Sequence, residues 1–410
     1  MIKKYKMFAS DVILNMIAFA IYTISQQVIL LPVVSKIVND NTFSNFIIYI
    51  SIFNIIANTC GGELGIVRQV KNEDYEKEKK YGDFSIILLV LMLISSIISV
   101  IALIILQYQP TEILLFVIIV TLANYRLYAA CYFRLKKEFK KIIVQNVIYC
   151  IGIVIGLIIF KLTNIVCMPL LCAEVLAFIY TIRKVNIFKE TMQKTANLIE
   201  TIKTYINLGF ISLLTNVMAY FDKFLIYPIL GAKEMNVYYA STAMSKVITL
   251  IVNPVYGVIL SWLSGGKKSE QQNVIGLTIK ANIPILIIAF ICSIPLTYFT
   301  ILILYSQYLT EAIVLIIPAC IAVAFGTATT ITKAVLLKFV KSTTLVVTYV
   351  IYFIIFIILA LSMSNEFGLI GFAYANAISK IGMWIAYIII LSFQKNIKGE
   401  QENVELFEKG

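Results

Sequence analysis

The chain has no histidine among its 410 residues, and only 14% of its residues are charged. Histidine is the commonest general base near neutral pH and the commonest metal ligand, so its absence disfavours both kinds of chemistry. The sequence also shows no cysteine spacing typical of zinc, no glycine-rich phosphate loop and no nucleophile elbow. We therefore expect neither an enzyme nor a protein that carries a metal or another cofactor.

Polar residues are scarce along the whole chain. Hydrophobic residues make up 60% of it, and its mean hydropathy is +0.91. A soluble protein of this length needs more polar surface than such a composition supplies. The chain is therefore predicted to lie in a lipid bilayer and to cross it several times.

Twelve stretches are apolar over roughly the 20 residues that a helix needs to cross the hydrocarbon core. The first six are 11–34, 43–66, 84–106, 112–133, 142–161 and 164–182, and the second six are 206–230, 236–263, 275–304, 310–335, 343–363 and 367–393. We predict an all-α polytopic membrane protein with about 12 transmembrane helices in two pseudo-symmetric six-helix bundles.

The longest polar interruption divides these spans into two groups. Residues 1–182 are the predicted N-terminal bundle, 183–205 a cytoplasmic linker, 206–393 the C-terminal bundle and 394–410 a cytoplasmic tail. The linker is either an amphipathic helix on the membrane surface or a plain connector. The two halves share a motif, a proline at the end of a span and an aromatic residue about ten positions later. It is Pro32 with Phe43 in the first half and Pro228 with Tyr238 in the second. Transporters are commonly built from such repeated halves.

Basic residues fall mainly in alternate loops between the predicted spans. Cytoplasmic loops retain positive charge, so this pattern predicts that both termini face the cytoplasm. The net charge of +12 is spread over these loops and not gathered on one folded face. Anionic lipid headgroups are therefore the expected partners of this charge, and nucleic acid is not.

Six charged residues are predicted to lie deep in the spans: Arg126, Glu174, Asp222, Lys223, Lys246 and Lys380. A charge at the bilayer centre costs roughly 3 kcal/mol, which favours a position facing a cavity or a partner of opposite charge. Five others, Asp11, Glu63, Arg68, Lys280 and Lys333, lie nearer the span ends. For these, extension of the side chain to the headgroups is the better interpretation.

Polar residues share helical faces with the deep lysines. The set comprises Asn216, Tyr220 and Lys223 on the seventh span, and Tyr239, Lys246 and Asn253 on the eighth. Such residues can also hydrogen-bond neighbouring helices together. We favour a water-filled cavity, because helix packing does not need ammonium groups. Tyr125, Tyr128 and Tyr132 form an aromatic stripe on the fourth span, beside Arg126.

The deep set contains four bases and two acids. A positive cavity attracts anions, and phosphate is well bound by arginine and lysine donors. The alternative is internal salt pairing, for example of Asp222 with a neighbouring lysine. Such pairing could neutralise both acids and would still leave two of the four bases without an acidic partner.

Several motifs together resemble the Wzx-type polysaccharide flippases of the multidrug/oligosaccharidyl-lipid/polysaccharide (MOP) exporter superfamily. They are Asp11 to Asn15, Pro32 with Phe43, Gly61 and Gly62 with Arg68, the run 128–139, and Asp222 and Lys223 followed by Gly231, Tyr238 and Tyr239. The resemblance covers essentially the whole chain. It rests mainly on the run around Arg134 and on the plan of twelve spans.

The resemblance implies a flippase that moves undecaprenyl-diphosphate-linked oligosaccharide repeat units, of O-antigen or capsule, across the bacterial inner membrane by alternating access. With the positive excess, it predicts substrate contacts from Arg126, Lys223, Lys246, Lys380, Tyr220, Tyr239, Asn216 and Asn253. Glu174 and Asp222 would bind a proton or sodium counter-ion. The implied partners are the lipid-linked oligosaccharide, membrane lipids, a polysaccharide polymerase and a chain-length regulator.

Two other functions stay open. One is a multidrug antiporter of organic cations from the same superfamily. The other is a membrane enzyme of polysaccharide assembly, such as a polymerase or an acyltransferase. Polymerases usually carry a long extracytoplasmic loop, whereas every predicted outer loop here is short.

Overall fold

A computed structural model describes residues 2–78, 80–185, 190, 192–244, 248, 268–340 and 342–407. Every regular element within these ranges is helical. A helix satisfies its backbone hydrogen bonds within one segment, which a chain in hydrocarbon requires. The chain packs as two compact units, Met1–Leu225 and Ile226–Gly410, called here the first and the second unit.

The first unit contains eight helices and most of a ninth within the described ranges. They are α1 (Ile2–Ile24), α2 (Leu31–Ser35), α3 (Asp40–Ala57), α4 (Glu63–Glu78), α5 (Gly82–Ile105), α6 (Pro110–Leu135), α7 (Phe139–Thr163), α8 (Met168–Lys184) and α9 (Leu198–Leu230). π-helical turns at Ser25–Leu30 and Asn58–Gly62 join α1 to α2 and α3 to α4. Such wide turns are frequent at functional sites in long helices.

Local sequence sets several of the helix ends. The Asn39 side chain accepts a hydrogen bond from the Thr42 backbone N–H (2.9 Å) and so caps α3. Gln109 and Glu112 form a reciprocal capping box at the start of α6. Asn164 adopts the left-handed conformation that ends α7.

Burial separates the core of the first unit from its apolar outer surface. α3 is buried over nearly its whole length, so it lies at the centre of the unit. On α5, Ile97, Ile101 and Ile105 are all more than half exposed and recur at every fourth residue. A stripe of exposed isoleucines suits contact with lipid chains.

The second unit contains the helices α10 (232–244), α11 (Lys268–Leu304), α12 (Leu309–Ala312), α13 (Ile316–Phe339) and α14 (Ser342–Phe407). α11, α13 and α14 pack against one another. α14 is broken at Gly368, whose φ of 58° and ψ of −140° are not helical. Glycine adopts this conformation without the steric cost that a side chain would bring.

Nine helices in the described part of the chain are long and apolar enough to cross a membrane. One of them, Thr343–Phe393, has 51 residues, roughly 75 Å of helix, which is more than twice the hydrocarbon thickness. The break at Gly368 divides it into two spans. α8 coincides with the predicted sixth span, and the predicted eighth span lies largely outside the described residues.

These helices confirm the predicted fold class, an all-α polytopic membrane protein of about 12 helices. One boundary differs from the prediction, because α9 begins at Leu198, inside the predicted linker. Its first part belongs to the first unit and its end to the second. The predicted bundle and linker bounds stay predictions.

Candidate functional site

Arg126 and Glu174 form a buried ion pair between α6 and α8. Arg126 Nε donates to Glu174 Oε2 (2.7 Å) and Nη2 donates to Oε1 (2.8 Å). The two side chains are 2% and 0% exposed. Each carboxylate oxygen accepts one of two parallel hydrogen bonds. This geometry offsets much of the desolvation cost of burying the two charges.

Aromatic and amide groups enclose the guanidinium of Arg126. Its central carbon lies 5.2 Å from the Tyr22 ring centre and 5.0 Å from that of Tyr149, within the range of cation–π attraction. Gln26, in the π-helical turn after α1, donates to both tyrosine hydroxyls at 3.0 Å. Asn54 donates to the Gln26 carbonyl (3.4 Å). Five α-helices of the first unit and one π-helical turn therefore meet at one polar centre.

Asp222 and Lys223 form the second deep pair, near the end of α9. Lys223 Nζ lies 2.6 Å from Oδ1 and 2.7 Å from Oδ2 of Asp222. The side chains are 5% exposed for Lys223 and 17% for Asp222. Both deep acids are thus paired with a base, as the salt-pairing alternative expected, and Asp222 is the more accessible of the two.

Lys380 lies in the second unit, on the part of α14 that follows Gly368. Its Nζ is 5.0 Å from the centre of the Tyr352 ring. Asn376, one turn earlier, donates to the Tyr238 hydroxyl (2.8 Å) and links α14 to α10. Lys380 is half-buried, and it lies one turn from Asn376 on the same side of the helix.

Three of the remaining predicted substrate contacts lie within the described residues, and two lie outside them. Asn216 donates to Thr59 Oγ1 (3.3 Å) and to Ser212 Oγ (3.2 Å), and Tyr220 is half-buried. Tyr239 is 2% exposed and packs edge-on against Tyr305. Lys246 and Asn253 lie outside the described residues. Asn216 and Tyr239 thus also serve packing between helices.

Arg68, which was predicted to lie at the membrane interface, forms a buried cluster with Glu190, Tyr128 and Tyr132. Its guanidinium makes a bidentate pair with Glu190 (2.7 and 3.0 Å) and hydrogen-bonds the hydroxyls of Tyr128 and Tyr132. It also lies 4.8 Å from the ring centre of Tyr81. The side chain of Arg68 is only 4% exposed. Burial raises the pKa of the Tyr81 hydroxyl, so this group stays protonated at neutral pH.

A second buried acid lies beside this cluster. Asp83 accepts hydrogen bonds from Tyr75 (2.8 Å) and from the backbone N–H of Thr195 (2.9 Å). Tyr75 also bonds Thr201 (2.7 Å). α4 therefore contacts Glu190 in the segment between α8 and α9 and Thr201 in the first turn of α9, and α5 contacts Thr195 in the same segment.

The described residues contain no group of three or more acidic, histidine or cysteine side chains that could hold a metal ion. Their ionisable groups at membrane depth make ion pairs, hydrogen bonds and ring contacts. In the first unit, the deep bases are matched by acids. In the second unit, Lys333 and Lys380 lie on tyrosine rings.

No protein-family model matches the chain, and no curated protein matches it in sequence. Solved structures match its fold. A MATE transporter in complex with MaD3S aligns with a TM-score of 0.67 at 12% identity, over 96% of this chain and 97% of its own. The chain has the fold of this transporter.

Two further structures share this fold. An inward-facing multidrug resistance MATE family transporter of the MOP superfamily aligns with a TM-score of 0.65 at 11% identity, over 94% of this chain and 96% of its own. The lipid II flippase MurJ, in an inward closed conformation, aligns with a TM-score of 0.62 at 16% identity, over 99% and 92%. The MATE and MurJ fold therefore spans essentially all of this chain.

Proposed function

We propose that this protein is a flippase that moves undecaprenyl-diphosphate-linked oligosaccharides across the bacterial inner membrane by alternating access. Three findings support this proposal: the fold shared with MATE transporters and MurJ, the motifs that resemble Wzx-type flippases, and the charges at membrane depth. The first two define a group of transporters. The charges favour an anionic substrate within that group.

The observation that carries the proposal is the pairing of both deep acids. Glu174 is bound by Arg126 and Asp222 by Lys223. An exporter of organic cations needs a carboxylate that is available to its substrate, and here each deep carboxylate already has a cation. The basic residue Lys380 lies on a tyrosine ring in the second unit, where it suits a phosphate.

The substrate's diphosphate would therefore contact Lys380, and Lys246 is a predicted contact outside the described residues. Arg126 and Lys223 contribute positive charge only when their pairs open. Tyr220, Tyr239, Asn216 and Asn253 stay predicted contacts for sugar hydroxyls. Tyrosine rings and amides suit sugars because one presents an apolar face and the other presents both hydrogen-bond donors and acceptors.

Asp222 is the better candidate of the two acids for ion coupling. A proton or a sodium ion on its carboxylate would replace Lys223 and release that ammonium for the substrate. Asp222 is 17% exposed, whereas Glu174 is fully buried. In the proposed pathway the flipped repeat units pass to a polysaccharide polymerase and a chain-length regulator.

The test is glycan export in a strain that lacks the gene. Lys380→Ala should lower surface glycan at least about tenfold at unchanged protein level, because a lost charge-assisted hydrogen bond costs 1.5–3 kcal/mol. Lys233→Ala is the matched control, since Lys233 is an exposed lysine of the same unit paired with Glu311. Normal export by the Lys380 variant would contradict the proposed role of Lys380.

The multidrug alternative rests on the MATE likeness. It predicts that expression raises resistance to lipophilic cations such as ethidium while surface glycan stays constant. The flippase proposal predicts the opposite pair of results. Resistance without any glycan defect in the deletion strain would overturn it.

A further inference from the structure

The first unit contains a cavity of about 260 Å³ at one end of its helices. It is enclosed by the start of α3, the loop between α5 and α6, and the loop between α7 and α8. Phe46, Tyr49 and Cys167 line it with buried side chains, and Asn45 and Gln107 line it with exposed ones. The predicted substrate contacts that the structure describes do not line this cavity, so it is separate from them.

The hydroxyl of Tyr49 is buried in the wall of the cavity. Tyr49 is 2% exposed, and its hydroxyl has no hydrogen-bond partner within the described residues. The groups that act on it electrostatically are Cys167, Glu112 and Tyr108, which all line the cavity, and a thiol is only a weak hydrogen-bond partner. An unsatisfied buried hydroxyl is costly, and a ligand hydroxyl would remove that cost.

Other aromatic rings cover the ring of Tyr49. Phe116 contacts it edge to face with the ring centres 4.5 Å apart, and the centres of Tyr108 and Phe46 lie 5.9 and 6.2 Å away. Tyr49 therefore offers a ligand its hydroxyl and not its aromatic face. This favours a ligand that forms hydrogen bonds over an organic cation, which binds to an open ring face.

The polar groups that line the cavity are mostly neutral. They are the amides of Asn45, Gln107 and Gln109 and the hydroxyls of Thr42, Tyr49 and Tyr108, together with the carboxylate of Glu112. Amides and hydroxyls both donate and accept hydrogen bonds, as the hydroxyls of a sugar do. No basic residue lines the cavity in the described part of the chain, which disfavours phosphates and sugar acids.

Glu112 has one oxygen to offer a ligand. Its Oε2 accepts the Gln109 backbone N–H (3.2 Å) in the capping box of α6, and its Oε1 is not used there. A carboxylate oxygen can accept a hydrogen bond from a sugar hydroxyl.

Gln107 has an unusual backbone conformation at the edge of the cavity. Its φ of 60° lies in the left-handed region, which glycine usually occupies at the end of a helix. The N–H groups of Gln107 and Tyr108 donate to the carbonyls of Ile104 and Leu103, each at 3.0 Å, and so close the end of α5. Residues in sparsely populated conformations concentrate at ligand sites, and here the strained position carries an exposed amide.

We propose that this cavity binds a neutral sugar residue. Its volume is slightly below the range of pockets that hold drug-sized ligands, which suits a single sugar ring. The Tyr49 hydroxyl, Glu112 Oε1 and the Gln107 amide form hydrogen bonds with the sugar hydroxyls. The site goes beyond the proposed function, because it lies outside the predicted substrate contacts and its test does not depend on transport. The same chemistry fits a free sugar or one unit of a longer glycan.

Saturation-transfer NMR on the purified protein tests the site. Glucose, galactose and N-acetylglucosamine are the sugar probes, and choline is the cation probe. The detergent is octaethylene glycol dodecyl ether, because maltoside detergents carry sugar headgroups. We expect saturable transfer to at least one sugar, with a dissociation constant on the order of 1 mM. An absence of saturable transfer to all of the sugars would overturn the proposal.

Tyr49→Phe removes only the hydroxyl. It should weaken sugar binding about fivefold, whereas the thermal midpoint stays the same or rises because an unsatisfied buried group is lost. A tyrosine with a purely structural role would not separate these two measurements. Tyr305→Phe is the matched control, since the Tyr305 hydroxyl is also buried without a partner among the described residues but lies in the second unit. Equal affinities of the Tyr49→Phe variant and the wild type would show that the sugar binds elsewhere.

Glu112→Gln separates a sugar from a cation. Glutamine keeps the capping box and can still accept a hydrogen bond, so sugar binding should weaken by no more than about threefold. Choline binding that is lost in this variant, without binding of any sugar, would identify an organic-cation site and contradict the proposal.

Methyl glycosides of the same sugars decide the source of the ligand, because their blocked first position imitates a unit within a chain. If they bind as well as the free sugars, the site takes a unit of a glycan. If only the free sugars bind, it takes a monosaccharide. Both results support a sugar site.

Discussion

The side chains of Arg126 and Glu174 do not reach water. The buried charge of each is therefore compensated only by the opposite charge of the other. Removing one partner of such a pair leaves an uncompensated charge and typically costs 3–5 kcal/mol, whereas replacing both with apolar residues is often neutral. We expect Glu174→Gln to lower the free energy of unfolding by about this amount, measured by titration with SDS in mixed micelles.

The double variant Arg126→Met with Glu174→Leu should recover most of that loss, which makes the two effects strongly non-additive. Asp222→Asn is the matched control, because Asp222 is 17% exposed, so this pair is less completely removed from water than Arg126 and Glu174. We expect a smaller loss from it. A Glu174→Gln variant as stable as the wild type would show that the pair does not stabilise the fold.

Depth within the spans was enough to identify Arg126, Glu174 and Lys223 as buried charges. Their partners were not equally predictable. Asp222 and Lys223 are neighbours in sequence, so their pairing could be proposed, but Glu174 comes 48 residues after Arg126. That pair depends on how α6 packs against α8, which periodicity alone does not determine.

At the scale of helices, glycines set how closely α7 approaches α8. A Cβ at Gly152 would lie 2.5 Å from the Ala173 Cα, and one at Gly156 would lie 2.4 Å from the Pro169 Cα. Both contacts are with backbone, which cannot move as a side chain can. Gly152→Ala should therefore destabilise the protein by about 1–3 kcal/mol, the usual cost of overpacking.

Gly326→Ala provides the opposite case in α13, since a Cβ there meets nothing within 4 Å. Alanine is the better helix former, so this variant should be more stable by about 0.5–1 kcal/mol. Both variants can be measured in the same SDS titration. Equal effects of the two substitutions would contradict the close approach of α7 and α8.

The segment between α8 and α9 is held by buried contacts, and trypsin can test this. Arg68→Ala removes the bidentate pair with Glu190 and should expose the peptide after Lys194, so that cleavage there becomes at least about threefold faster. Lys71→Ala is the control, because its partner Glu200 is 67% exposed and such surface pairs contribute little. Equal cleavage rates in both variants would show that the Arg68 contacts do not hold the segment.

The cluster around Arg68 could not be predicted from the position of Arg68 in the sequence. Arg68 is close to the end of an apolar run, which suggested a position at the membrane interface. In the structure α4 continues to Glu78, and Arg68 packs against α6. The signal that could have found it was the pair Tyr128 and Tyr132, one turn apart on one face. The sequence does not show that α4 packs on α6, so it could not identify Arg68 as the residue that these tyrosines contact.

At the scale of the whole molecule, the alternation of basic loops predicts the side of the membrane on which each loop lies. The predicted loops at 134–141 and 183–203 carry five basic residues each, whereas the loops at Lys36 and Lys161 carry one each. Positive charge near span ends is retained in the cytoplasm. We therefore expect both termini, and every loop rich in lysine, on the cytoplasmic side.

Reporter fusions check this orientation. Green fluorescent protein after Gly410 should fluoresce, because it folds in the cytoplasm, and alkaline phosphatase after Asn164 should be active, because it needs the oxidising outer side. Phosphatase after Lys137 is the matched control and should be inactive. The test also bears on the number of spans, since one helix more or fewer between Lys137 and Asn164 would reverse the second result. Because α7 connects these positions as a single 25-residue helix, equal phosphatase activity at both would be incompatible with a membrane-spanning α7.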